Sequence, residues 1–172
     1  MAEVYFSLGS NENDRLNALV KATKLIGTLI GKVKKYSPVI ESEPWGFKAE
    51  TPFYNMVLMV DTQFTPHQVL SKVLDIEKSM GRVRQGKEYT SRIIDIDILF
   101  FNKEQIIDDT LVIPHPLLHE RKFVLQPLAE IAPEFIHPVL LTSVAKLLPN
   151  LKEAGSIPTV VSQKEFASLL KI

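Results

Sequence analysis

The chain has no cysteine, which removes disulfides and thiolate metal sites from its chemistry without fixing its compartment. It also lacks an excess of either charge: 20 lysines plus arginines face 20 aspartates plus glutamates. Without a net field there is no long-range pull toward nucleic acid or an anionic membrane, so neither is an expected partner. No apolar run approaches the roughly 20 residues of a membrane span, and no charged-then-apolar leader opens the chain. There is no internal repeat and no low-complexity segment. The expectation is a cytoplasmic monomer, and 172 residues suffice for one domain with a good core.

What is present is concentrated between Arg82 and Phe101 (RVRQGKEYTSRIIDIDILFF). The second half of that stretch reads as a strand, rich in isoleucine and aromatics. Asp95 and Asp97 are two apart on it and so share a face, while Ile94, Ile96 and Ile98 take the other. Two adjacent carboxylates need positive charge between them, and a magnesium-type ion supplies it while leaving room for phosphate oxygens. Arg82, Arg84, Lys87 and Arg92 lie just upstream, opposed only by Glu88. Since the whole chain is neutral, this local charge points to a small polyphosphate ligand.

The remaining elements follow from periodicity and punctuation. Glu3 to Leu8 reads as a strand, and Gly9-Ser10-Asn11 as a turn. Arg15 to Ile30 has helical spacing, with Leu16, Leu19, Ala22, Leu25 or Ile26, and Leu29 or Ile30 on the apolar stripe and Asn13 as cap. Val33 to Ser42 is a strand interrupted by Pro38. Glu43 to Pro52 is a loop carrying Trp45 and Phe47, residues that either lid the core or bind something. Phe53 to Asp61 is a third strand, on which Asn55 is either a structural hydrogen-bonding group or a reader of a ligand's polar edge. Thr65-Pro66-His67-Gln68 is a capping box opening a helix that Gly81 stops. Glu77 borders that helix's buried stripe and, unaided, reads as a surface charge.

Short strands are expected at Gln105 to Ile107 and Thr110 to Ile113, then a Pro114-His115-Pro116 turn. Helices are expected at Phe123 to Ile131 and Val144 to Leu148, with a less regular tail holding one short helix, Gln163 to Leu170. His115 and His119 are four apart, but the prolines around them break the helical geometry a zinc pair would use. The order strand–helix–strand–strand–helix–strand predicts an α+β, ferredoxin-like βαββαβ core: a mostly antiparallel sheet with helices on its faces.

Several blocks occur together and in order: GSN at Gly9 to Asn11, FYN at Phe53 to Asn55, GRVR at Gly81 to Arg84, R-x-x-DIDIL at Arg92 to Leu99, and PHP-x-x-HER-x-FVL-x-PL-x-EIAP at Pro114 to Pro133. With them the chain closely resembles the hydroxymethyl-dihydropterin pyrophosphokinases of folate biosynthesis. The resemblance spans residues 1–150, implying a catalytic domain there and an extension of unknown role at 151–172.

The resemblance implies transfer of pyrophosphate from ATP to a pterin hydroxymethyl group. It also implies two magnesium ions on Asp95 and Asp97, and Arg82 and Arg92 offsetting charge that develops during transfer. Glu77, Arg84, Ile98 (through its backbone), His115 and Arg121 would contact ATP. Phe53 and Phe123 would stack on the pterin, with Ser42, Glu43, Trp45 and Asn55 along its edge.

Three positions depart from the family pattern: Tyr89-Thr90-Ser91 in place of Trp-Gly-Pro, Thr110 in place of a frequent arginine, and Glu43 ahead of Pro44-Trp45. A metal-dependent nuclease or a non-catalytic nucleotide-binding domain are the rival readings. The first would want a basic track, and the second has no use for aligned carboxylates beside an aromatic pair.

Overall fold

The computed structural model describes residues 1–82, 92–153 and 155–171. Strand β1 (Ala2–Ser10) leads into helix α1 (Arg15–Leu29), followed by β2 (Gly31–Tyr36), β3 (Val39–Ser42) and β4 (Phe53–Thr62). Helix α2 (Pro66–Ser79) then returns the chain to β5 (Asp95–Phe101). Along the sheet the order is β5-β1-β4-β3-β8, where β8 is Thr159–Val161, with β2 also on β4, and every pairing is antiparallel. The strand–helix–strand–strand–helix–strand core is therefore β1, α1, β2, β4, α2 and β5, the ferredoxin-like arrangement expected from the sequence.

Local chemistry accounts for the elements. Helix α2 starts at Thr65, whose hydroxyl accepts from Gln68 N while the Gln68 side chain accepts from Thr65 N. A reciprocal cap of this kind contributes about 1 kcal/mol. Gly81, with φ of 91°, turns the chain out of α2 in a conformation side chains disfavour. Helix α1 is capped by Asp14 rather than Asn13: the Asp14 carboxylate accepts from Asn17 N at 3.0 Å. Asn13 instead takes a left-handed φ of 55°, which asparagine tolerates better than most residues. Pro38 divides the expected second strand in two, and both pieces, β2 and β3, pair with β4.

Helices cover both faces of the sheet. On one, α1 and α2 pack Leu19, Ile26, Val69, Val73 and Ile76 against Val4, Phe6, Leu8, Ile94, Ile96 and Ile98. On the other, α3 (Lys122–Ile131) and the short α4 (Val144–Leu147) pack Leu125, Leu128 and Val144 against Tyr5, Val57, Met59 and Phe100. At Leu99 the β1–β5 register slips, so both Leu99 and Phe100 join this second core. The expected short strands form a small hairpin, β6 (Ile106–Ile107) with β7 (Val112–Ile113).

The segment after residue 150 is part of the same body. Strand β8 (Thr159–Val161) pairs with β3, and α5 (Gln163–Leu170) buries Phe166 completely in the first core. No helix among the described residues is long and apolar enough to cross a membrane.

Candidate active site

The second face of the sheet is apolar at one end and polar at the other, and the site lies at the polar end. Sheet register builds it. Across β4, β1 and β5, Asn55, Gly9 and Asp95 form one row, and Val57, Ser7 and Asp97 the next. The two carboxylates thus stand on the face that carries Tyr5 and α3, while their isoleucine neighbours point into the opposite core. A cleft of about 330 Å³ opens over these rows.

Asp95 is held between two guanidinium groups. Arg82 Nη1 lies 2.5 Å from its Oδ1, and Arg92 Nη1 lies 3.0 Å from its Oδ2. Arg82 Nη1 also pairs with Glu77 Oε1, which in turn accepts from Ile96 N at 2.8 Å. Glu77 is only 2 % exposed, so it is a buried anchor for Arg82 and β5, not a surface charge. Burial alone would lower the Arg82 pKa, but Asp95 and Glu77 outweigh it and hold the guanidinium above its ordinary value.

Asp97 is placed differently. Its partners stand farther off, with His115 Nε2 at 3.8 Å and Arg121 Nη1 at 4.0 Å. Its carboxyl sits deep among protein atoms while its outer side, 34 % exposed, looks into the cleft. That burial, with Asp95's charge next to it, pushes its pKa up to about 7. His115 moves the other way: burial, then the charge of Arg121, lowers its pKa to about 4, leaving the ring neutral near pH 7. Its Nδ1 accepts from Leu117 N at 3.1 Å, so in the neutral ring the proton lies on Nε2, directed at the cleft. The turn carrying it is tied to β5 by His115 N donating to Leu99 O at 3.0 Å.

The aromatic half of the cleft adjoins this cluster. Phe53 and Phe123 line it with Trp45 and Phe47, and Ser42 and Glu43 close its rim. Trp45 lies 4.6 Å from the Arg121 guanidinium and Phe47 sits edge-on to Phe53 at 6.0 Å, so the loop aromatics belong to the cleft wall. Asn55 Nδ2 donates to Ser42 Oγ at 2.6 Å, fixing the amide on the cleft floor. Gly9 makes this possible: a Cβ there would come within 2.9 Å of Asn55 Oδ1 and 3.5 Å of Phe53. Asn11 ties the cleft's loops together, accepting from Arg92 N at 2.8 Å and donating to Thr51 O at 3.2 Å.

Of the residues picked from sequence, the cleft gathers Ser42, Glu43, Trp45, Phe53, Asn55, Arg82, Arg92, Asp95, Asp97, His115, Arg121 and Phe123. Glu77 lies behind it, and the Ile98 side chain is buried in the first core. Arg84 and the Tyr89-Thr90-Ser91 departure fall outside the described residues. Thr110 lies on the surface, its backbone N and hydroxyl both donating to Asp108 Oδ1. Ser7, Gly9, Phe47, Pro116 and Leu117 also line the cleft. Phe47 shows as a loop aromatic in the sequence, but no local signal marks Ser7 or Gly9, whose place comes from three-strand register.

Among the described residues no three His, Cys, Asp or Glu side chains gather as a metal cage. The donor set is two carboxylates on one open strand face, one of them with its proton affinity raised by burial and then by the other's charge. That suits a magnesium-type ion, which takes one or two carboxylates and completes its shell with water and phosphate.

Comparison with known proteins bears on the family and the fold of the chain. The family model described as 7,8-dihydro-6-hydroxymethylpterin-pyrophosphokinase matches residues 5–133. A 2-amino-4-hydroxy-6-hydroxymethyldihydropteridine pyrophosphokinase of Aquifex aeolicus (strain VF5) is 39 % identical over 172 residues, all of both chains. A folic acid synthesis protein of Dictyostelium discoideum is 38 % identical over 157 residues, which cover 91 % of this chain and 24 % of that one. In structure, the chain is similar to the crystallised Plasmodium falciparum HPPK-DHPS with pteroate, with a TM-score of 0.71 at 21 % identity, covering 86 % of this chain and 42 % of that one. At that identity the likeness speaks for the fold alone. By matched length, identity and fold together, the chain belongs to the 7,8-dihydro-6-hydroxymethylpterin-pyrophosphokinase family.

Proposed function

We propose that the cleft binds ATP and 6-hydroxymethyl-7,8-dihydropterin side by side and transfers pyrophosphate between them, a step of folate biosynthesis. The hydroxymethyl oxygen of the pterin forms a bond to the β-phosphorus and releases its proton to water. The bond from that phosphorus to the oxygen bridging it to the α-phosphate breaks, and AMP leaves. The observation that carries this reading is the meeting of a carboxylate pair and an aromatic slot across Gly9, with Asn55 on one side and Asp95 on the other.

Asp95 and Asp97 would hold two magnesium ions, which would supply positive charge to the triphosphate and draw electron density from the phosphorus under attack. The chain's own groups supply the rest. Arg82 and Arg92 pair with Asp95 and would gain a second anion, the triphosphate, to pair with. Neutral His115 offers an Nε2 proton to a phosphate oxygen, and Arg121 supplies charge at the junction of the two halves. Strand β5 stands at the end of the sheet order, and its outer backbone edge at Ile98 is where adenine would be met. Phe53 and Phe123 would sandwich the flat pterin while Asn55 pairs with its polar edge. Transfer of this kind depends on positioning and electrostatics, so no strong general base is required.

The test is AMP release from ATP in four mixtures, with the pterin alcohol and magnesium each present or absent. AMP is expected only when both are present. Release without the pterin would point to hydrolysis, and none in any mixture would leave a nucleotide-binding domain.

A further inference from the structure

The residues beyond 150 lie outside the region the family model matches, yet they contact β3 and α3, the two elements that carry Ser42 and Phe123 into the aromatic slot. On one wall, β8 pairs with β3 through Val39↔Val161 and Ile40↔Thr159, and Glu41 N donates to Pro158 O at 3.2 Å. Strand β3 ends at Ser42, whose hydroxyl holds Asn55. On the other wall, Gln126 meets the backbone of Ile157 twice: its Nε2 donates to Ile157 O at 2.8 Å and its Oε1 accepts from Ile157 N at 2.9 Å. Lys122, only 7 % exposed, donates its ammonium to Glu153 O and Gly155 O. Lys122 and Gln126 are four apart on α3 and so lie on one face of it, while Arg121 and Phe123, on either side of Lys122, line the cleft.

A buried ammonium needs its donors satisfied, and here backbone carbonyls of the tail do it. The two-bond Gln126–Ile157 contact has the pattern of a strand pair made by a side chain. Together they fix α3 about its own axis against the segment that β8 anchors to β3. We infer that residues 155–161 form a strap that sets the width of the pterin slot, with Gln126 and Lys122 as positioning residues acting through Phe123. This rests on the reading of the cleft as a pterin and ATP site. The strap meets β3 and α3, which carry Ser42 and Phe123 at the aromatic half, so its main effect falls on the acceptor substrate.

The experiment compares wild type, Gln126→Ala, Gln126→Glu and Phe166→Leu. Phe166→Leu loosens the packing of α5 without touching the strap bonds. Each protein is titrated calorimetrically with 6-hydroxymethylpterin, in the presence of magnesium and an ATP analogue with a methylene group between its α and β phosphorus atoms. The analogue is then titrated alone with magnesium, and melting temperatures are recorded. For Gln126→Ala the pterin Kd is expected to rise roughly tenfold, the scale of one supporting contact, with nucleotide Kd unchanged. Gln126→Glu, which keeps the acceptor for Ile157 N, should recover part of the loss. Phe166→Leu should lower the melting temperature at least as far while leaving pterin Kd in place.

Unchanged pterin binding in Gln126→Ala would overturn the inference. So would pterin and nucleotide affinities falling together in step with melting temperature. If wild type bound nucleotide but no pterin, the reading of the cleft itself would fall, a result separated from the other two by the wild-type titration.

Discussion

The two sides of β5 put the same backbone to opposite uses. Ile96 and Ile98, with Ile94 just before the strand, face α1 and α2, are between 0 and 5 % exposed and pack their side chains into the first hydrophobic core. Asp95 and Asp97 face the cleft, one clamped by two arginines and the other left with distant partners and a raised pKa. One side maximises stability. The other sets two like charges side by side, with Arg82 and Arg92 offsetting only the first of them closely. A strand can do both because alternate side chains never meet.

The largest test of that contrast is Asp97→Asn. Turnover, read as AMP release, should fall about a thousandfold, the scale of removing a group that stabilises developing charge. The substrate-free variant should nonetheless melt above wild type at pH 8, because a strained carboxylate is gone. Full activity in Asp97→Asn would mean the charge on that face has no catalytic use.

Ile96→Ala is the mirror experiment. Urea unfolding should show a loss of about 2–4 kcal/mol from the cavity left in the first core. At a temperature where the variant is folded, kcat should stay within a few-fold of wild type. A collapse of kcat in the folded variant would show that the two sides are not separable.

The finest effect is in pH. The native Asp97 carboxyl titrates near 7 against an ordinary value of 3.8, so between those values the native state holds more proton than the unfolded chain. Stability from this group therefore falls as pH rises from about 4 to 7 and stays low above. His115, lowered to about 4 from 6.5, binds less proton in the native state, and its contribution rises with pH over 4 to 6.5. The two oppose each other. Subtracting the melting-temperature profile of Asp97→Asn from that of wild type leaves the Asp97 slope, which should be negative. A flat difference profile would remove the strained carboxylate from the account.

Much of this was legible in the chain itself because the signals are local. Alternation around DIDIL separated the carboxylates from the isoleucines, and the TPHQ box fixed the start of α2. The tail helix, Gln163–Leu170, came out with its expected bounds. The α1 stripe left Leu25 or Ile26 and Leu29 or Ile30 open. Packing chose Ile26 and Ile30 and left Leu29 exposed, a choice that depends on which side the sheet lies. Glu77 misled because a carboxylate one step off an apolar stripe normally meets water. Here Arg82 and the Ile96 amide, 5 and 19 residues away, meet it instead.

By itself, then, the sequence determined the order of elements, the two chemistries of β5 and the inventory of groups for polyphosphate and aromatic recognition. These rest on the period of a strand, the period of a helix and the charge of side chains, all of which act over a few residues. Only the tertiary structure decided that Gly9 must lack a side chain, that Ser7 stands beside Asp97 and that the tail braces β3 and α3 together. Those facts depend on register between strands and on contacts between residues far apart in the chain, and no short window of sequence contains both partners.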